Sequence, residues 1–202
     1  LQRGMRMVAV PFPHLSGLAA AVRIELDSRV PTMGVFASGR LVANPAFANR
    51  LSASDLTLVL APELVHLALR TPERARGSSP LEFNYAHDYI INDMLREALA
   101  LTTIPAGGLD MPGARTRAAE DIVLEMRRNK SFQNTRSQVW EGVEITIEQV
   151  LDAARRAGGQ TGDVLDAARE REMFPGDAQE QAARSNAVRD LAVKGMAMAK
   201  AL

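Results

Sequence analysis

Apolar residues recur at helical spacing through most of the chain and at extended spacing in one short stretch. The segment from Met5 to Val10 is apolar and runs into Pro11-Phe12-Pro13, which interrupts a helix. Leu15, Leu18, Ala19, Val22 and Leu26 then fall three or four apart and predict a second helix, with Ser16 as its N-cap. Between Thr32 and Ala43 the pattern changes. Two extended runs, 32–37 and 40–43, flank Ser38-Gly39 and predict a β-hairpin. Leu56, Val59, Leu60, Leu64, Leu67 and Ala68 are dense enough to predict a largely buried helix, opened by the capping-box pattern Ser52-Ala53-Ser54-Asp55. Ser79-Pro80-Leu81-Glu82 supplies a cap, a proline at the first helical position and a carboxylate at the third, so another helix runs from there toward Leu99.

The second half is helical in pattern and thinner in chemistry. The Gly- and Pro-rich run from Pro105 to Gly113 marks the end of a first subdomain, and its glycines lack the lysine and hydroxyl of a phosphate loop. Arg115 to Arg128 predicts an amphipathic helix with Ala118, Ile122, Val123, Leu124 and Met126 on its apolar side. Asn129 to Arg136 is polar, and Val143-Glu144-Ile145 predicts a short strand. Thr146 starts a helix that Gly158-Gly159 stops, and Thr161 caps one from Gly162 to Met173. Asp177 to Leu202 reads as one long helix whose methionines serve packing. The expected architecture is α+β and predominantly helical. Residues 1–112 form a core with a small hairpin or sheet, and residues 113–202 form a helical extension packing on it.

Composition narrows the function. With 202 residues, 47% of them hydrophobic, the chain can bury a sizeable core. A formal net charge of zero argues against nucleic acid or an anionic membrane surface, each of which calls for a basic face. No cysteine is present, which excludes disulfides, thiolate zinc sites and cysteine nucleophiles. No apolar run is long enough to span a bilayer and the start has no secretory layout, so a cytoplasmic protein is expected. The first residue is Leu and the last three, Lys200-Ala201-Leu202, stop in mid-pattern, as in a piece of a longer chain.

Chemistry concentrates in two helices. Pro62-Glu63-Leu64-Val65-His66 matches the zinc-peptidase pattern H-E-x-x-H except at its first position, where proline stands for histidine. In that pattern two imidazoles on one helix face hold zinc and the glutamate activates the metal-bound water. A proline inside a helix removes one backbone bond, here to the Leu58 carbonyl, at roughly 3 kcal/mol relative to alanine. The helix therefore kinks at Pro62, or it breaks and restarts there. On the following helix Tyr85, Asp88, Tyr89 and Asn92 share one side, a polar-aromatic stripe that either belongs to a site or ties neighbouring elements together. His14 precedes the second helix as a solvent-facing or capping residue.

Together these pieces resemble a family. Pro31-Thr32 before a hairpin, Asn44-Pro45-Ala46-Phe47, the Glu63 to His66 helix and Asn84-Tyr85-Ala86-His87-Asp88-Tyr89-Ile90-Ile91-Asn92 are similar to the metallopeptidase domains that precede a von Willebrand factor A-like domain. The resemblance implies a zincin-like core over about residues 8 to 110. It makes His66 a zinc ligand, Glu63 the general base and Asp88 the third ligand, and it implies a AAA-type ATPase as a working partner. In such peptidases a strand beside the active-site helix pairs with extended substrate, which puts Val35 and Phe36 of the hairpin, with Tyr85, Tyr89 and Asn92, at a substrate cleft. A hairpin that only covers the core is the alternative.

Adjacent helical residues point about 100° apart, so His87 and Asp88 do not share a metal on a regular helix. With Pro62 in place of an imidazole, His66 and Asp88 fall short of the three protein ligands a zinc site needs. If Glu63 became the third, the base would be lost. The sequence thus predicts a metallopeptidase-like protein with a degenerate P-E-x-x-H motif, impaired as a catalyst, that binds a protein or peptide through its cleft. An active metal-dependent peptidase with a replacement ligand is the alternative, and a metal-free helical interaction module is a third.

Overall fold

The computed structural model describes residues 1–75, 77, 79–102, 109–128, 137–140, 143–146, 164–176 and 178–200. The chain divides into two compact units. One comprises Leu1–Arg74 with Asp163–Leu202, and the other Ala75–Gly162. This differs from the expected division after residue 112, because the C-terminal segment supplies a strand and two helices to the first unit.

The first unit opens with helix α1 (Gln2–Val8), a 3-10 turn (Pro13–Leu15) and α2 (Ser16–Ala21). The helix expected to reach Leu26 ends at Ala21. Val22 is extended (φ −66°, ψ 131°), and Arg23–Leu26 forms strand β1. The β-branched pair Val22 and Ile24 favours extended backbone. Pairing decides the matter: β1 runs parallel to β3 (Arg40–Ala43), Arg23 opposite Arg40 and Leu26 opposite Ala43, and so satisfies backbone groups along that edge. Ser16 is the first residue of α2 rather than its cap, since Leu15 holds that position and no side chain caps the helix.

The hairpin forms as expected, with β2 (Met33–Phe36) antiparallel to β3. Its turn needs glycine twice over. Gly39 has φ 74°, in the left-handed region, and a Cβ there would lie 2.8 Å from Val188 Cγ2. Asn44-Pro45-Ala46-Phe47 then starts the short helix α3 (Pro45–Ala48). Asn44 Oδ1 accepts from the backbone N–H groups of Ala46 (2.8 Å) and Phe47 (3.3 Å), and its Nδ2 donates to the Val30 carbonyl. This motif is a helix cap that also fastens the loop before β2. Helix α4 (Ala53–Ala68) and α5 (Thr71–Arg74) complete this stretch.

In the second unit, α6 (Pro80–Ala98) is capped by Ser79, whose hydroxyl accepts from Glu82 N–H at 3.5 Å. The Glu82 carboxylate goes to Arg127 of α7 (Ala119–Arg128). A 3-10 turn (Ala114–Thr116) precedes α7, which therefore starts four residues later than expected, with Ile122 and Val123 buried and Leu124 48% exposed. Ala118 is also exposed. β4 (Ser137–Trp140) and β5 (Val143–Thr146) pair antiparallel, so the expected strand at Val143 is present and Thr146 closes it. The helix expected after Thr146 lies outside the described residues.

The chain returns to the first unit as β6 (Val164–Leu165), parallel to β2, where a helix starting at Gly162 was expected. Asp166, accepting from Arg169 N–H at 2.7 Å, caps α8 (Ala167–Met173). The sheet order is β1-β3-β2-β6. Val30, Phe36, Val42, Leu165 and Met173 form a core cluster, with Phe174 packed against it. The long helix α9 (Ala178–Ala199) packs on α2, α4 and the first 3-10 turn. Gly195 permits that approach, because a Cβ there would stand 2.5 Å from the His14 carbonyl oxygen. The fold is α+β and predominantly helical, as the pattern predicts.

Candidate functional site

Helix α4 runs without a break from Ala53 to Ala68, with Pro62 inside it, so the restart considered from sequence does not occur. Leu60, Ala61 and Leu64 around the proline are all at most 1% exposed. Burial on this scale offsets the lost backbone bond. Glu63 and His66, one turn apart, share a side of the helix and are 2% and 0% exposed.

What happens just after α4 positions the histidine. Arg70 adopts φ 58°, a left-handed conformation that ends the helix and turns the chain into α5. Arg70 Nε donates to Glu73 Oε2 at 2.7 Å, closing that turn. The turn carries Thr71, 1% exposed, back to the imidazole, and Thr71 Oγ1 lies 3.1 Å from His66 Nδ1. A hydroxyl on one ring nitrogen sets the orientation of the ring, as outer-shell partners do for ligating histidines.

On α6 the predicted stripe separates into different jobs. Asn84 Nδ2 donates to Asp88 Oδ2 at 3.0 Å, one turn along the same helix. Asn92 Nδ2 donates to the Leu109 carbonyl at 2.9 Å and so fastens the segment before the 3-10 turn. Tyr85 and Asp88 are half-buried, and Tyr89 is 8% exposed. His87 is wholly buried, its ring tilted against Phe83 at a centroid distance of 4.8 Å. Val35 and Phe36, expected along a cleft, are both 0% exposed. β2 is paired with β3 on one side and, at those two residues, with β6 on the other, so they contribute to the core and offer no free edge for substrate.

A protein-family model described as "Putative metallopeptidase domain" matches residues 2–200. The chain belongs to this family. Comparison with curated proteins and with solved structures gives no match. A metallopeptidase domain implies a metal. Among the described residues no group of three or more His, Asp or Glu side chains is disposed to hold a metal ion. A catalytic zinc takes three protein ligands. Pro62 contributes no donor atom, so the described donor set does not fit a resident catalytic metal.

Three arrangements in this metallopeptidase-family chain escape the sequence pattern. Thr71 meets His66 only because of the left-handed residue between them. In the first unit Glu170 of α8, 3% exposed, accepts from Ser38 Oγ (2.5 Å) and Arg40 Nε (3.2 Å). Arg40 also lies over the Phe174 ring at 4.2 Å. In the second unit Asp93, 1% exposed, accepts from the Arg115 backbone N–H at 3.1 Å and pairs with Arg96 and Arg115. Burial opposes ionisation of Asp93. Backbone donors from Arg115 and Gly113, together with the two guanidiniums, outweigh it and hold the carboxyl below its ordinary range. A buried acid at 93 was visible as a charge on an otherwise apolar helix side, with Arg96 one turn along; its partner Arg115, 22 residues on, was not.

Proposed function

We propose that this chain is a zincin-like metallopeptidase-domain protein with a degenerate P-E-x-x-H motif, impaired as a hydrolase, that acts by binding a protein or peptide. One observation carries the reading: Pro62 immediately precedes Glu63 on an unbroken, buried helix, and no group of three or more His, Asp or Glu side chains among the described residues is disposed to hold a metal. Glu63 and His66, at 2% and 0% exposed, are also sealed from the solvent that a hydrolytic site must admit. Without a metal, Glu63 has no activated water to deprotonate, and His66 held by Thr71 serves packing.

The orientation of His66 by Thr71 favours a second reading, an active metal-dependent peptidase with Glu63 as general base and a replacement metal ligand. Under either reading the protein is cytoplasmic and works beside a AAA-type ATPase. The ATPase rests on the resemblance alone, and the location on the sequence pattern; no helix among the described residues is long and apolar enough to cross a membrane.

Zinc content and cleavage of an unfolded protein substrate separate the two readings, measured for the protein and for Pro62→His. The expected result is no stoichiometric zinc and no cleavage in the protein itself, with zinc gained in the variant. One zinc per chain with cleavage by the unaltered protein overturns the impaired reading. Failure of Pro62→His to gain any metal overturns the assignment of Pro62 to a ligand position.

A further inference from the structure

Away from α4, the first unit holds a cavity of about 450 Å³ between the end of α2, the start of β1 and α9. That size falls within the roughly 300–1,000 Å³ of small-molecule sites. Its wall is mostly aliphatic, including Val22, Val188 and Leu191, and two guanidiniums, Arg23 and Arg184, line it. The Nε–H groups of both arginines are buried and have no hydrogen-bond partner among the described residues. Buried N–H donors are ordinarily satisfied, and two on neighbouring cations mark a place where negative charge is missing.

The surrounding acids do not supply it. Glu180 approaches Arg23 Nη1 only to 4.0 Å and is 65% exposed, a loose surface pair. Glu170 is taken up by Ser38 and Arg40. Burial, followed by the nearby guanidiniums of Arg184 and Arg40, lowers the proton affinity of Arg23 against the opposing pull of Glu180 and Glu170.

We propose that this cavity binds a small carboxylate carried on an aliphatic body, its two oxygens on the Arg23 and Arg184 guanidiniums and its body against Val22, Val188 and Leu191. Two acceptor oxygens match two orphaned donors, and guanidinium planes suit carboxylate geometry. A bare phosphate would bring more charge and more acceptors than the aliphatic wall can satisfy. The carboxylate could belong to a free aliphatic acid or to the C-terminus of a peptide.

Titration calorimetry of the full chain with hexanoate, N-acetyl-leucine, hexanol and inorganic phosphate tests this. Saturable binding of hexanoate, N-acetyl-leucine or both is expected, and which of them binds identifies the source of the carboxylate. Arg184→Gln removes a charged donor and should weaken binding roughly ten-fold or more. Ala187→Leu, on the exposed side of α9 at the cavity rim, keeps both charges and should weaken binding by filling space, so it decides the matter even if Arg184→Gln does not fold. The proposal is overturned if neither carboxylate binds, if hexanol or phosphate binds as well as the carboxylates, or if Ala187→Leu leaves binding unchanged.

Discussion

Helices α4 and α6 each bury a histidine completely, yet they hold it by different means. His66 on apolar α4 meets a hydroxyl delivered by a turn beyond the helix end, whereas His87 on polar α6 packs its ring against Phe83, one turn earlier on the same helix. The polar residues of α6 are likewise occupied locally: Asn84 on Asp88, Asn92 on the Leu109 carbonyl, Asp93 on Arg96 and Arg115. A polar stripe on a buried helix can thus be consumed by tying elements together. A motif on an apolar helix depends instead on what the next turn brings.

The sharpest break in this comparison is at Asp93. Asp93→Ala leaves the Arg115 and Gly113 backbone donors without their acceptor, while Arg96 keeps Asp110 and Arg115 keeps Glu97, and should destabilise the fold by about 3 kcal/mol in urea melts. Because the folded pKa of Asp93 is depressed, its ionised form adds stability above the ordinary carboxylate range. That contribution is lost as pH falls from that range through the lower folded value. Melts across this acid window should therefore lose more stability in the protein than in Asp93→Ala. An equal loss in both would break the link to Asp93.

On α4, Pro62→Ala restores an N–H that can bond to the Leu58 carbonyl and should raise stability, by up to about 3 kcal/mol if the surroundings need no adjustment. A drop in the urea midpoint would mean that the proline ring is required for packing. Thr71→Val keeps shape and removes the hydroxyl facing His66, so a loss of about 1–2 kcal/mol is expected. In the Pro62→His background the same change should weaken zinc binding, because it frees the ring that the metal needs oriented. An unaltered zinc affinity would reduce Thr71 to a packing role.

Much of the local structure was legible in the residues themselves. Ser38-Gly39 marked the hairpin turn, and Ser79-Pro80 with Glu82 marked the start of α6, because caps and turns are short-range chemistry. The dense leucines of α4 announced burial. Where the reading went wrong, long-range pairing was responsible: 22–26 has helical spacing but is drawn out beside β3, and 164–165 is drawn out beside β2. The same pairings placed Val35 and Phe36 inside the sheet rather than at a cleft.

The sequence by itself determined the helical α+β character, the Ser79 cap of α6 and the placement of Glu63 and His66 on one helix face, one residue and four residues after a proline. These follow from backbone preferences and the 3.6-residue repeat, which act within a few residues. Tertiary structure alone decided that α4 passes through Pro62 unbroken and that Thr71 meets His66. It also returned the C-terminal segment to complete the sheet and form the arginine-lined cavity with β1. Those outcomes depend on burial and on contacts between residues far apart in the chain, where packing energy outweighs local propensity.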